Sequence, residues 1–155
     1  MPNLDEVKFF KRRPFSAFVF LFLILADQLV KNYASNVFKN SNFAFSLPLP
    51  VWLMYIIYTA VFIGLVYYCA KNYRAFNFAS KLAWTLIFAG AFSNIIERIM
   101  LGYVRDFIYL TLYKWTGIYN LADGFIILGI VILLFQSSGR SKRNKVYSNE
   151  LGIRN

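Results

Sequence analysis

The stretch VWLMYIIYTAVFIGLVYYCA, residues 51–70, runs its whole length without one charged side chain. A helix needs about 20 apolar residues to cross the hydrocarbon core of a bilayer, and this stretch meets that length unaided. Three further segments nearly match it: FSAFVFLFLILADQLVKNYA at 15–34, LAWTLIFAGAFSNIIERIML at 82–101 and NLADGFIILGIVILLFQ at 120–136. Each carries its polar residues near one end. The chain of 155 residues is 59% hydrophobic, 20% aromatic and only 15% charged, too apolar for a water-soluble domain of this size to bury. The expected fold class is an all-α membrane protein with four transmembrane helices. These form one domain over 1–136, followed by a basic, unstructured tail over 137–155.

The first segment has the basic flank of a secretory signal, Lys11, Arg12 and Arg13. Its apolar run, however, is followed by Asp27, Gln28 and Lys31 with no small-residue cleavage site, so it reads as a retained helix. The net charge of +10 is distributed by side. Lys8, Lys11, Arg12 and Arg13 precede the first segment; Lys71, Arg74 and Lys81 join the second to the third; Arg140, Lys142, Arg143, Lys145 and Arg154 follow the fourth. Only Lys39, Arg105 and Lys114 lie in the other two connections. By the positive-inside rule both termini are expected in the cytoplasm, with the basic residues on anionic headgroups of membrane lipid rather than on nucleic acid.

One cysteine, Cys69, and no histidine exclude an internal disulfide, a zinc site of the usual ligand set and a Ser-His or Cys-His nucleophile pair. Cys69 reads as a small apolar filler. No metal and no cofactor are expected.

The acids are few and concentrated. Asp5, Glu6 and Glu150 lie in the tails; Asp27, Glu97, Asp106 and Asp123 belong to the helices or an outer connection. With the first and third helices running outward, Asp27 lies roughly two turns from the outer end of its helix. Glu97 and Arg98 close the third helix, Asp106 follows, and Asp123 opens the fourth. The four acids therefore converge on one layer near the outer membrane face, where ionisable groups are costly and mark function. Asp27 and Lys31 share a face at i, i+4, as do Asn94 and Arg98; Asn120 and Asp123 share one at i, i+3. Bland readings stand beside the functional ones. Asp27–Lys31 suits an intrahelical ion pair with the lysine snorkelling outward. Asn94, Glu97 and Arg98 suit interhelical bonding, with Arg98 gripping a carboxylate. Asn120 and Asp123 suit a capping box. Asp106, among aromatic and apolar residues in GYVRDFIYL, is hardest to explain as a solvated loop acid. Two carboxylates from different segments at one depth suggest an aspartic dyad.

The blocks DQLVK (27–31), NSNFAF (40–45), AGAFSNIIER (89–98), GYVRDF (102–107) and YNLADGFIILG (119–129) together resemble the lipoprotein signal peptidase, or signal peptidase II, family. They stand in that family's order, as its D-Q-x-x-K, N-x-G-x-A-F, G-G-A-x-G-N-x-x-D-R, G-x-V-x-D-F and F-N-x-A-D-x-x-I-x-x-G elements. The resemblance implies Asp106 and Asp123 as the catalytic pair, with Asn94, Arg98 and Asn120 as supporting residues. Asp27, Lys31 and Asn40 match other motif positions. It also implies a small β-rich platform and a helical flap on the outer side, drawn from 35–50 and 102–119. The rings of Tyr103, Phe107, Tyr109, Tyr113, Trp115 and Tyr119 suit either that flap or a plain aromatic belt.

The implied activity is intramembrane aspartic endopeptidase, acting as a monomer in the bacterial cytoplasmic (inner) membrane. Its implied substrate is a prolipoprotein carrying a diacylglyceryl cysteine, cut just before that cysteine. Asn42, Ala89 and Ser93 stand where the family usually has glycine, and Glu97 where it has aspartate. A lipoprotein-binding homologue that no longer cuts is one alternative. A small transporter is another, although no ionisable residue lines the inner halves of the helices. A serine–lysine peptidase is disfavoured, because Ser35, Ser41, Ser46 and Ser93 lack a lysine base.

Overall fold

The computed structural model describes residues 4–41 and 49–150. In chain order these form α1 (Leu4–Tyr33), β1 (Phe38–Asn40), α2 (Val51–Asn72), a 3-10 turn (Tyr73–Ala75), α3 (Phe78–Leu101), β2 (Val104–Asp106), β3 (Ile108–Leu112), β4 (Trp115–Tyr119) and α4 (Leu121–Glu150). Asn42 and Ser46, with that part of the expected flap, lie outside the described residues, as does the end of the tail at 151–155.

Four helices appear where four were expected, with different ends. α1 begins at Leu4 rather than at 15, and α4 continues to Glu150 rather than stopping at 136. The tail expected to be unstructured is thus helical over most of its length. Once a helix is nucleated each added residue costs little, and no proline interrupts 121–150. Among the described residues three helices, over Phe15–Tyr33, Val51–Ala75 and Phe78–Leu101, are long and apolar enough to cross a membrane. The apolar part of α4, Leu121–Ser137, is shorter.

The distribution of side chains is inside-out. Phe18, Leu25, Ile63 and Leu134 are each more than 60% exposed, as expected of rings and aliphatic groups that face acyl chains. The largest fully buried side chains are instead Lys31, Glu97, Asn120, Asp27, Asp106 and Ser93. Small residues make the helix contacts close. A Cβ on Gly90 would lie 2.3 Å from the Ala122 carbonyl oxygen, and one on Gly129 2.6 Å from that of Ala83. Ala83, Ala89 and Ala122 are themselves fully buried, so the packing accommodates the methyl of Ala89, where the resemblance implied glycine. α2 is peripheral, with Met54 its one buried residue. It leans on α3 through Phe62–Phe88 and Tyr68–Trp84, at ring separations of 5.8 and 5.7 Å.

Two short antiparallel sheets cap one end of the bundle. β1 pairs with β2, setting Phe38 opposite Asp106 and Asn40 opposite Val104. β3 pairs with β4 as a hairpin. Within the described residues the expected β-rich platform is therefore present, and segment 102–119 contributes strands to it rather than a helical flap. The alternation of β-branched and aromatic residues in IYLTL and WTGIY favours strands there. α3 ends at Gly102 with φ 80, its N–H bonded to the Arg98 carbonyl at 3.1 Å. That left-handed cap suits glycine and turns the chain straight into β2, which carries Asp106 back over the helix ends.

Candidate active site

Asp106 and Asp123 meet around Asn120. The Asn120 side chain donates to Asp106 Oδ1 at 2.6 Å, while its backbone N–H donates to Asp123 Oδ2 at 3.1 Å. Asn120 Oδ1 in turn accepts from the Asp123 N–H at 2.9 Å, which completes a reciprocal capping box at the start of α4. The capping expectation for this pair is therefore met, by the same residue that bonds Asp106. The remaining carboxylate oxygens also take amides: Asn40 Nδ2 reaches Asp106 Oδ2, and Asn94 Nδ2 reaches Asp123 Oδ1, each at 2.8 Å. The two acids are thus bonded to one and the same residue, Asn120. Asp106 is 2% exposed. Burial pushes its carboxyl above the ordinary aspartate range, against the opposing pull of Asn40 and Asn120 and of the nearby Lys31 and Arg98 charges.

Behind this pair lies an ionic cluster. Lys31 is 1% exposed, so the expected outward snorkel does not occur. Its ammonium contacts Asp27 at 2.8 Å and Glu97 at 2.9 Å and donates to Asn94 Oδ1 at 2.9 Å. The reason is stoichiometric: an ammonium has three donors, and three acceptors from α1 and α3 surround it. Because Lys31 takes the Asn94 carbonyl, the Asn94 NH₂ is left aimed at Asp123. Asp27 does more than pair with Lys31. Its Oδ1 accepts the Ala122 N–H at 2.9 Å, satisfying an otherwise unbonded donor at the N-terminus of α4. Its Oδ2 accepts the Ser93 hydroxyl at 2.6 Å. Ser93, where the resemblance implied glycine, is fully buried and also accepts from Gln28 Nε2 at 2.8 Å.

Arg98 lays its guanidinium over the Tyr58 ring, 5.2 Å from the centroid. Glu97 is held by Lys31 and by Arg105, whose Nε donates to Glu97 Oε1 and whose backbone N–H donates to Oε2. Every sequence-nominated residue thus falls in one cluster or its rim. Arg105 and Asn32 were not nominated. Arg105 counted only as one of three outer charges, and the i, i+4 spacing of Gln28 and Asn32 on the Asp27 helix was the available sign of a second polar stripe.

A protein-family model for signal peptidase (SPase) II matches residues 19–138. The chain belongs to the signal peptidase II family. The lipoprotein signal peptidase of Streptococcus pneumoniae is 32% identical over an alignment covering 80% of this chain and 92% of that protein. That of Bacillus subtilis is 30% identical, covering 81% and 96%. Among solved structures, a bacterial membrane enzyme determined by the in meso method at 2.3 Å resolution superposes with a TM-score of 0.71 at 24% identity. The superposition covers 84% of this chain and 92% of that one, which shows a shared fold. Membership in a signal peptidase II family makes the chain a member of a peptidase family, and its apolar helices suit a multi-pass membrane protein.

Proposed function

We propose that the protein is an aspartic endopeptidase that cuts prolipoproteins immediately before a diacylglyceryl-modified cysteine, with Asp106 and Asp123 as the catalytic pair. The observation that carries this reading is the meeting of a buried and a half-buried carboxyl group across Asn120, each held, among the described residues, by neutral amides. Two such groups do not both ionise cheaply, so one keeps a proton. Asp123 stands at a helix N-terminus, where negative charge is stabilised, which leaves the protonated role to Asp106.

The ionised Asp123 takes a proton from a water as its oxygen attacks the scissile carbonyl. Protonated Asp106 donates a hydrogen bond to the carbonyl oxygen as negative charge develops there, and its proton later helps release the amine. Asn94, Asn40 and Asn120 hold the pair in register; Asp27 and Lys31 brace the helices that carry them, and Arg98 contributes positive charge nearby. The asymmetry of basic residues supports cytoplasmic termini and a site near the outer face of the inner membrane. A lipidated substrate reaches such a site laterally, its acyl chains among the exposed Phe and Leu side chains.

The test is to incubate the purified protein in detergent with a diacylglyceryl-modified prolipoprotein and with its unlipidated form. Cleavage of the lipidated form alone, before the modified cysteine, is expected. Binding without cleavage by folded protein would overturn the peptidase reading in favour of a non-cutting homologue.

A further inference from the structure

We propose that Arg105 is a positioning residue for Asp106, tying strand β2 to α1 and α3 through a matched contact with Glu97. The proposal rests on the reading of Asp106 as a reacting group. β1 and β2 have three residues each, and a strand pair that short is marginal by itself. Side chains alternate along a strand, so when Asp106 faces Asn120 its neighbour Arg105 faces the other way, onto the helices. Four donors of Arg105 are engaged there. Its backbone N–H and Nε hold the two oxygens of Glu97 on α3, the former at 3.1 Å. Nη1 donates to Asn32 Oδ1 at 2.6 Å and Nη2 to Gln28 Oε1 at 3.3 Å, both on α1.

The planar guanidinium makes this possible, because its fork spans acceptors that an ammonium cannot reach together. The extra methylene of Glu97, where the family usually has aspartate, has a place in the same contact: one carboxylate meets both Lys31 and Arg105. Gln28 extends the tie to Ser93. The other half of the pair is anchored to the same helix, since Asp27 on α1 holds the first turn of α4 through Ala122. Arg105 and Asp27 thus fix the two carboxyl groups relative to one frame. A misplacement of reacting groups by about 1 Å costs on the order of 100-fold in rate, so this tie sets the rate without touching substrate.

The experiment compares kcat, KM, the pH profile of kcat and the thermal midpoint for the wild type, Arg105→Lys, Arg105→Ala, Glu97→Gln, Arg105→Ala/Glu97→Gln and Asp106→Asn. The lipidated prolipoprotein serves as substrate. Arg105→Ala is expected to lower kcat by roughly 100-fold with KM nearly unchanged, and to move the alkaline limb of the profile. Arg105→Lys keeps a charge opposite Glu97 and folds, yet recovers about a tenth of the activity or less for want of the fork. The double variant falls no further than the worse single one, as expected for coupled residues. Wild-type kcat and pH profile in folded Arg105→Lys, or strictly additive losses, would overturn the proposal. Should Asp106→Asn be inactive while Arg105→Lys turns over normally, the aspartic pair stands and the tie alone fails. Turnover by Asp106→Asn removes the pair itself.

Discussion

Asp27 and Glu97 lie against cations; Asp106 and Asp123, in the same layer of the molecule, lie against amides. The first two share Lys31, and Glu97 adds Arg105. The second two are held by Asn40, Asn94 and Asn120. All four are carboxylates on or near helix ends, so residue type does not separate them. What separates them is the neighbour in contact. A carboxylate bonded to a cation has its charge matched and serves as a brace. One bonded to neutral donors keeps its geometry while the question of its proton stays open, which acid–base chemistry requires. The chain thus uses one residue type for a rigid frame and, a few bonds away, for the pair we propose as reactive.

The contrast can be broken at several points. Replacing either amide-bound acid, as Asp106→Asn or Asp123→Asn, is expected to reduce cleavage by about 1,000-fold or more with the protein still inserted and folded, measured by product release from a lipidated substrate. Robust turnover by either variant would remove the distinction between the two pairs. Lys31→Met strikes the frame. It leaves Asp27 and Glu97 buried without their shared ammonium, and is expected to destabilise by about 3–5 kcal/mol, read as a large drop in thermal midpoint in detergent. A midpoint within a degree of wild type would show that the ammonium braces nothing.

Asn120→Ala acts on both sides at once, removing the cap of α4 and the bond to Asp106. Loss of the cap costs about 1 kcal/mol, with a fall in activity that is larger than this loss of stability explains. The smallest effect concerns pH. Burial raises Asp106, so between its unfolded and folded values the folded protein binds more protons. Its contribution is complete below the unfolded value and is lost as pH rises through the folded one. Asp106→Asn is therefore expected to flatten the decline of thermal midpoint above the ordinary aspartate range. An unchanged slope would mean that Asp106 does not hold its proton in the folded state.

Much of this was legible beforehand because membrane insertion restricts the alternatives. Long uncharged runs at 51–70 and elsewhere have one reasonable home, and the helices appear there. The four acids could be assigned to one layer because alternating helix direction converts sequence position into depth. Lys31 misled for a physical reason. Snorkelling is the favoured fate of a lysine near a helix end when nothing inward accepts it, and the inward acceptors Glu97 and Asn94 lie on another helix more than sixty positions away. Segment 102–119 was obscured by its aromatic content, which suits a membrane interface and a β-hairpin alike.

By itself the amino-acid order determined the number of apolar helices, the shared depth of the acids, and the motif set that joins this chain to the signal peptidase II family. These follow from local quantities: length of apolar run, sign and place of charge, and spacing along a helix. Which acid meets a cation and which meets an amide was decided only in three dimensions. The Gly102 turn, the β1–β2 register and the close α3–α4 contact at Gly90 bring donors from four segments together. Hydrogen bonds act over about 3 Å, and no spacing along the chain specifies contacts that short between residues so far apart in sequence.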